Sequence, residues 1–158
     1  MASGGDSVRK IGMGIVIGIV ILTFWFSSKP NDDSHVQSDG LLLNLKIVTQ
    51  DDIDHKTDKY LFFDLLIRKS AHFTLYLLLG VGGYLVTGSI KKTVVLVFIF
   101  AGLDEFHQHF SPGRTGHLQD VLIDSVGGAV GAGVTKLALT GPIGHPLPPK
   151  ARGKNKSN

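Results

Sequence analysis

Polar and apolar positions along the chain separate into four long apolar runs and a polar remainder. Ile11 to Phe26 carries no charge, with Arg9-Lys10 before it and Lys29 after it. Ala71 to Ile90 carries no charge beyond what His72 takes up on protonation. Thr93 to Leu103 is uncharged and ends abruptly at Asp104-Glu105. Val121 to Leu139 is apolar and glycine-rich, interrupted by Asp124, Ser125, Thr135 and Lys136. A helix that crosses a bilayer needs roughly 20 mostly apolar residues, and each run reaches that length once its polar ends are included. The pattern predicts an all-α, polytopic membrane protein, a bundle of four transmembrane helices near residues 9–27, 68–88, 92–110 and 118–138. The acidic segment between the first two becomes an external loop, residues 28–67, in which Tyr60 to Phe63 lies at the membrane surface.

Composition agrees with this reading. Mean hydropathy is +0.20 and 18% of residues are charged, against about 25% in soluble domains. There is no cysteine, which excludes disulfides and thiolate metal sites. The basic lead before Ile11 also suits a signal peptide, but Phe26-Ser27-Ser28 lacks a small-x-small cleavage pattern. Phe24 and Trp25 suit an interfacial anchor, so the first run is read as an uncleaved signal anchor.

Lys and Arg in the connections set the orientation. Arg9-Lys10, Lys91-Lys92 and the basic stretch Lys150 to Lys156 alternate correctly for four helices with both termini cytoplasmic. Residues 1–8 then form a short cytoplasmic tail, 9–140 the membrane domain, and 141–158, with Pro142, Pro146, Pro148 and Pro149, a disordered basic cytoplasmic tail. The turn at Pro112-Gly113-Arg114 falls outside. Gly14-x-x-x-Gly18, Gly127-x-x-x-Gly131 and the trio Gly80, Gly82 and Gly83 offer faces where helix backbones can approach closely.

This orientation gathers the polar residues. Lys69, His72 and Tyr76 share a helix face by their spacing of three and four, as do Asp104 with Gln108 and Asp120 with Asp124. All lie at the outer ends of their helices, with Arg114 in the turn above them. Acids within a membrane segment mark a candidate functional site. Adjacent helical residues point about 100° apart, so Asp104 and Glu105 face different neighbours. The plain structural alternatives are snorkelling for Arg68 and Lys69, a hydrogen-bonded bundle histidine for His72, and a helix-stapling ion pair for the acids. His107, His109 and His117 read as solvated near the outer surface.

Three segments together carry a resemblance. Ile67-Arg-Lys-Ser-Ala-His72 with Tyr76, then Asp104-Glu105-x-x-Gln108-x-Phe110-x-Pro112-Gly113-Arg114, then Asp120-Val-Leu-Ile-Asp124-x-x-Gly127 are similar to the VanZ-like family, and Ser27-Ser28 fits the same pattern. The resemblance runs from the first helix to the fourth. It departs at Asp124, where asparagine is usual, and at Thr74, where an acid is common. It implies a small polytopic membrane protein of the bacterial cell envelope and, by the family's founding member, low-level resistance to the lipoglycopeptide teicoplanin. It supplies no reaction.

Two functions compete. In the first, an outward-facing polar pocket binds a membrane lipid, a lipid-linked envelope precursor or a lipoglycopeptide. Lys69, His72 and Arg114 meet phosphate or carboxylate, with Tyr76, Gln108, Asp120 and Asp124 as further contacts. In the second, the protein is an enzyme acting on a lipid-linked phosphate or sugar. Glu105, Asp104 and His72 would then be the acid–base residues, and Asp120 with Asp124 would hold a divalent cation such as magnesium. The chain has no phosphate-binding glycine loop and no clear nucleophile. A transporter is disfavoured because four helices leave little room for alternating access. Nucleic acid is disfavoured because the one basic cluster is the tail, which suits anionic lipid better.

Overall fold

A computed structural model describes residues 4–28, 31–110 and 117–140 of the chain. Those residues fold into six helices: α1 (Gly4–Ser27), α2 (Asn31–Asn44), α3 (Gln50–Asp54), α4 (Asp58–Thr87), α5 (Ile90–Gln108) and α6 (Leu118–Thr140). No strand occurs among them. The basic tail 141–158 and the turn bearing Arg114 lie outside the described residues.

α4 is the central helix: α6, α1, α5, α2 and α3 all pack on it. The α4–α5 connection is tight because Gly88 takes a left-handed conformation (φ 63°), and its N–H closes on the Tyr84 carbonyl at 2.8 Å. Thr93 then donates to the Ser89 carbonyl at 2.9 Å, and its hydroxyl lies 2.8 Å from that of Thr87, so the turn satisfies its own polar groups. The contact of Gly12 with Leu85 and Gly82 brings the start of α1 to the end of α4. Arg9-Lys10 and Lys91-Lys92 therefore sit at one end of the bundle.

Glycine makes the main seam. A Cβ built on Gly80 would collide with the Gly128 backbone, and one on Gly131 with the Leu77 carbonyl. Gly127 faces the Phe73 carbonyl, and Gly128 also meets Val97 of α5. Between membrane helices, where lipid tails are as apolar as leucine, such backbone-to-backbone approach supplies the dispersion contact that holds a pair. Contacts Phe73–Gly127 and Leu77–Gly131 advance in the same direction along both helices, so α4 and α6 run parallel. Gly14 and Gly18 meet nothing within 4 Å; on α1 the close contact is made by Gly12 instead. The α6 pair Gly127 and Gly131 is thus engaged within the chain, and the α1 pair Gly14 and Gly18 is not.

Three helices, α1, α4 and α6, are long and apolar enough to cross a membrane. α5, at 19 residues, carries Lys91-Lys92 near its start and Asp104-Glu105 near its end, which separates it from the other three by charge. Large apolar side chains such as Ile17, Ile21, Phe98, Ile99, Val126, Val130 and Val134 point outward.

The segment expected as a loop at 28–67 is mostly helical. Leu42, Val48 and Tyr60 are buried together, flanked by Ile47, Ile53, Phe63 and Ile67, so α2 and α3 cap the first turns of α4. α4 itself starts at Asp58, ten residues before the expected boundary at 68. α3 is a single turn closed by a capping box: Thr49 Oγ1 accepts from the Asp52 N–H, and the Asp52 carboxylate accepts from the Thr49 N–H at 2.9 Å. The Thr57 hydroxyl donates to the same carboxylate at 3.0 Å.

Two outcomes follow from this packing. Gly131→Val is expected to lower stability by roughly 3 kcal/mol through overpacking, while Gly133→Val, which meets open space, leaves it nearly unchanged. Unfolding in mixed detergent micelles compares the two. The hydrogen bonds from Thr49 and Thr57 hold the Asp52 carboxyl below the usual carboxylate range. Its contribution to α3 is therefore present above the unfolded value of about 4 and is lost as pH falls through the lower folded value. Amide protection of residues 53–57 should drop in Asp52→Asn at neutral pH and in the native chain under acid; protection that survives both would mean the cap does not depend on the carboxylate.

Candidate functional site

Four helix ends meet at the end of the bundle opposite the lysines. α1 contributes Ser27 and Ser28, α4 contributes Arg68, Lys69, His72 and Tyr76, α5 contributes Asp104, Glu105 and Gln108, and α6 contributes Asp120 and Asp124. The α4–α6 seam sets this register: once Phe73 lies on Gly127, the preceding turn of α4 must face the first turns of α6. Lys69 accordingly donates to Asp120, and His72 Nδ1 stands 3.9 Å from Asp124 Oδ2. Asp120 is also in the first turn of α6, where the helix dipole favours an anion.

Asp104 and Glu105 diverge. Asp104, only 1% exposed, turns into the bundle and accepts from Gln108 Nε2 at 2.9 Å. The same amide reaches Ser27 Oγ at 3.3 Å, which ties α5 to the end of α1. Glu105 turns toward α6 and accepts from the His117 N–H at 2.8 Å. Tyr76 is fully buried beside Asp104 and Asp124. Its hydroxyl faces the Asp104 carboxylate, and Asp124 Oδ2 is buried without a hydrogen bond.

Above this floor lies a cavity of about 980 Å³. Lys69, His72, Glu105, Gln108, Asp120 and Asp124 line its polar side, and Leu65, Leu66, Leu75 and Ile123 its apolar side. Of the residues expected at the site, these six share the cavity, Asp104 and Tyr76 lie behind it, and Arg114 is outside the described residues. Asp120 and Asp124 do not pair over a common partner: one is committed to Lys69 and the other faces His72. Among the described residues no group of three or more acidic, histidine or cysteine side chains is disposed to hold a metal ion, so the donor set at Asp120 is an ion pair with an ammonium.

The chain matches the family model described as VanZ/LLP1 over residues 13–139. The chain belongs to the VanZ/LLP1 family. The match begins within α1 and ends within α6, so the whole cavity of this VanZ/LLP1 chain lies inside it, α2 and α3 included. No curated protein and no solved structure matches the chain.

Several site residues had no local signal in the sequence. Gln37, Ser38 and Leu41 of α2 line the cavity. Beside them, Ser38 donates to Asp64, which also binds Arg68 at 3.0 Å and His35 at 3.2 Å. Only the spacing of four between Asp64 and Arg68 was visible beforehand; Ser38 is 26 residues away. His117 lines the cavity through its placement at the start of α6. His107 lies 3.0 Å from the Ser28 hydroxyl and its ring meets that of Phe24 at 5.6 Å with a 49° tilt, so it joins α5 to α1.

The two serines separate cleanly by burial. Ser27→Ala strands buried polar atoms of Gln108 and is expected to cost about 1–3 kcal/mol. Ser28→Ala, at an exposed site, should stay within about 0.5 kcal/mol. Thermal unfolding of the two variants in one detergent makes the comparison.

Proposed function

We propose that this VanZ/LLP1 membrane protein binds an amphiphile in the cavity at the helix ends: a lipid-linked envelope component or a lipoglycopeptide. The observation that carries the reading is the cavity's composition, a leucine-lined wall that runs into a floor of buried carboxylates. An acyl or prenyl chain suits the first and a polar head group the second. Teicoplanin-type resistance would follow from holding or shielding such a molecule at the envelope.

In this proposal α5 is the fourth span. Its outward face of Val95, Phe98, Ile99, Leu103 and Phe106 is apolar throughout, and its charges sit at its ends, where Lys91-Lys92 meet the inner interface and the acids meet the cavity. The distribution of Lys and Arg then supports both termini on the cytoplasmic side and the cavity toward the external leaflet.

One observation favours a second reading, an enzyme acting on a lipid-linked phosphate or sugar. Glu105 lines the cavity with one oxygen held by the His117 N–H, an orientation that suits a general acid or base.

Native mass spectrometry of the purified full chain tests the binding reading. The protein should carry an amphiphile of lipid mass at about one per chain, and Leu66→Trp, which fills the apolar wall, should lose it. An empty native protein counts against the pocket. Incubation with a lipid-linked phosphate separates the readings: turnover abolished by Glu105→Gln would establish the enzyme instead.

A further inference from the structure

Among the described residues, the charges around the cavity are unevenly matched. Lys69 is answered by Asp120 and Arg68 by the buried Asp64. Glu105 and Asp124 have no such lysine or arginine partner. Glu105 accepts one backbone N–H, from His117. Asp124, 2% exposed, lines the cavity with Oδ2 free of any hydrogen bond, and His72 Nδ1, charged only when protonated, stands 3.9 Å away. No lysine or arginine among the described residues lies within ion-pair distance of Glu105, Asp124 or Asp104. Behind them, Asp104 and the Tyr76 hydroxyl are buried against each other.

We infer that the ligand's head group is a primary amine, received between Glu105 and Asp124, with its apolar chain along Leu65, Leu66 and Ile123. The inference rests on the binding reading above and deepens it. An ammonium brings three donors and a positive charge, and the cavity offers carboxyl acceptors that no lysine or arginine among the described residues meets. A phosphate or carboxylate head group would compete with Asp120 for Lys69 and with Asp64 for Arg68, and would stand beside Glu105 and Asp124 in a site of low dielectric. Among amines, a primary one fits better than a quaternary one, because the unmet groups are hydrogen-bond acceptors as well as charges. The shared chemistry covers an aminolipid and a lipid-bearing amino sugar or amino acid alike.

Three single-chain amphiphiles with the same apolar chain decide the matter: dodecylamine, dodecyltrimethylammonium and dodecyl phosphate. Each is titrated by calorimetry into the full-length protein in a neutral maltoside detergent. Dodecylamine should bind about tenfold tighter than either of the others, and Glu105→Gln and Asp124→Asn should each weaken it about tenfold. Circular dichroism checks that both variants fold; Glu105, at the cavity's side, carries the test if Asp124→Asn does not. Leu66→Trp should weaken all three probes. Phosphate binding equal to or tighter than the amine overturns the amine inference and leaves the pocket standing. Amine binding that neither acid variant weakens is micelle partition only, and overturns it too. If no probe binds, or none responds to Leu66→Trp, the pocket reading itself falls.

Discussion

The close approach of α4 and α6 is the contact on which the rest depends. Gly80, Gly127, Gly128 and Gly131 let the two backbones touch where any side chain would intervene. Within lipid there is little hydrophobic gain in joining two apolar helices, so the pair is held by packing at short range. That contact also fixes rotation. With Phe73 on Gly127 and Leu77 on Gly131, Lys69 comes against Asp120, and His72 comes beside Asp124. The glycines thus decide which charges meet.

The polar end of the bundle is then a consequence with its own cost. Burying carboxylates is unfavourable unless they are paired or hydrogen-bonded. Part of that cost is offset: Gln108 bridges Asp104 and Ser27, His117 caps Glu105, and Asp120 meets Lys69 in the first turn of α6. The remainder is not. Asp124 Oδ2 lies beside a large cavity without a donor, and Asp104 and the Tyr76 hydroxyl are buried against each other behind it. An interior tuned only for stability would replace such groups with apolar side chains of similar size. Their presence next to an apolar wall is what makes a ligand site the economical reading of this end of the molecule.

Much of the framework was legible from the chain. Uncharged runs ending at Lys91-Lys92 and Asp104-Glu105 marked helices α1, α4, α5 and α6, because span length and helical period are local properties. Spacings of three and four placed Lys69 with His72 and Asp120 with Asp124 on common faces, and the motif segments pointed to the family that the match over residues 13–139 shows. The cap formed by α2 and α3 was read as loop. α2 is polar on average, and its one apolar cluster around Leu42 finds its partners, Val48 and Tyr60, only after the chain doubles back. The contribution of Ser38 to Asp64 was invisible for the same reason.

Sequence alone therefore determined what is short-range: that the long apolar segments are helical, which of their faces are polar, where charge accumulates, and to which family the pattern points. Tertiary structure decided what depends on pairing between distant helices. It set Asp104 against Gln108 and Glu105 against the His117 N–H, paired Lys69 with Asp120, and left Asp124 without a hydrogen-bond donor at Oδ2. The physical reason is that hydropathy and period act within a few residues, whereas the identity of an ion's partner is set by backbone contacts between helices such as α4 and α6, far apart in the chain.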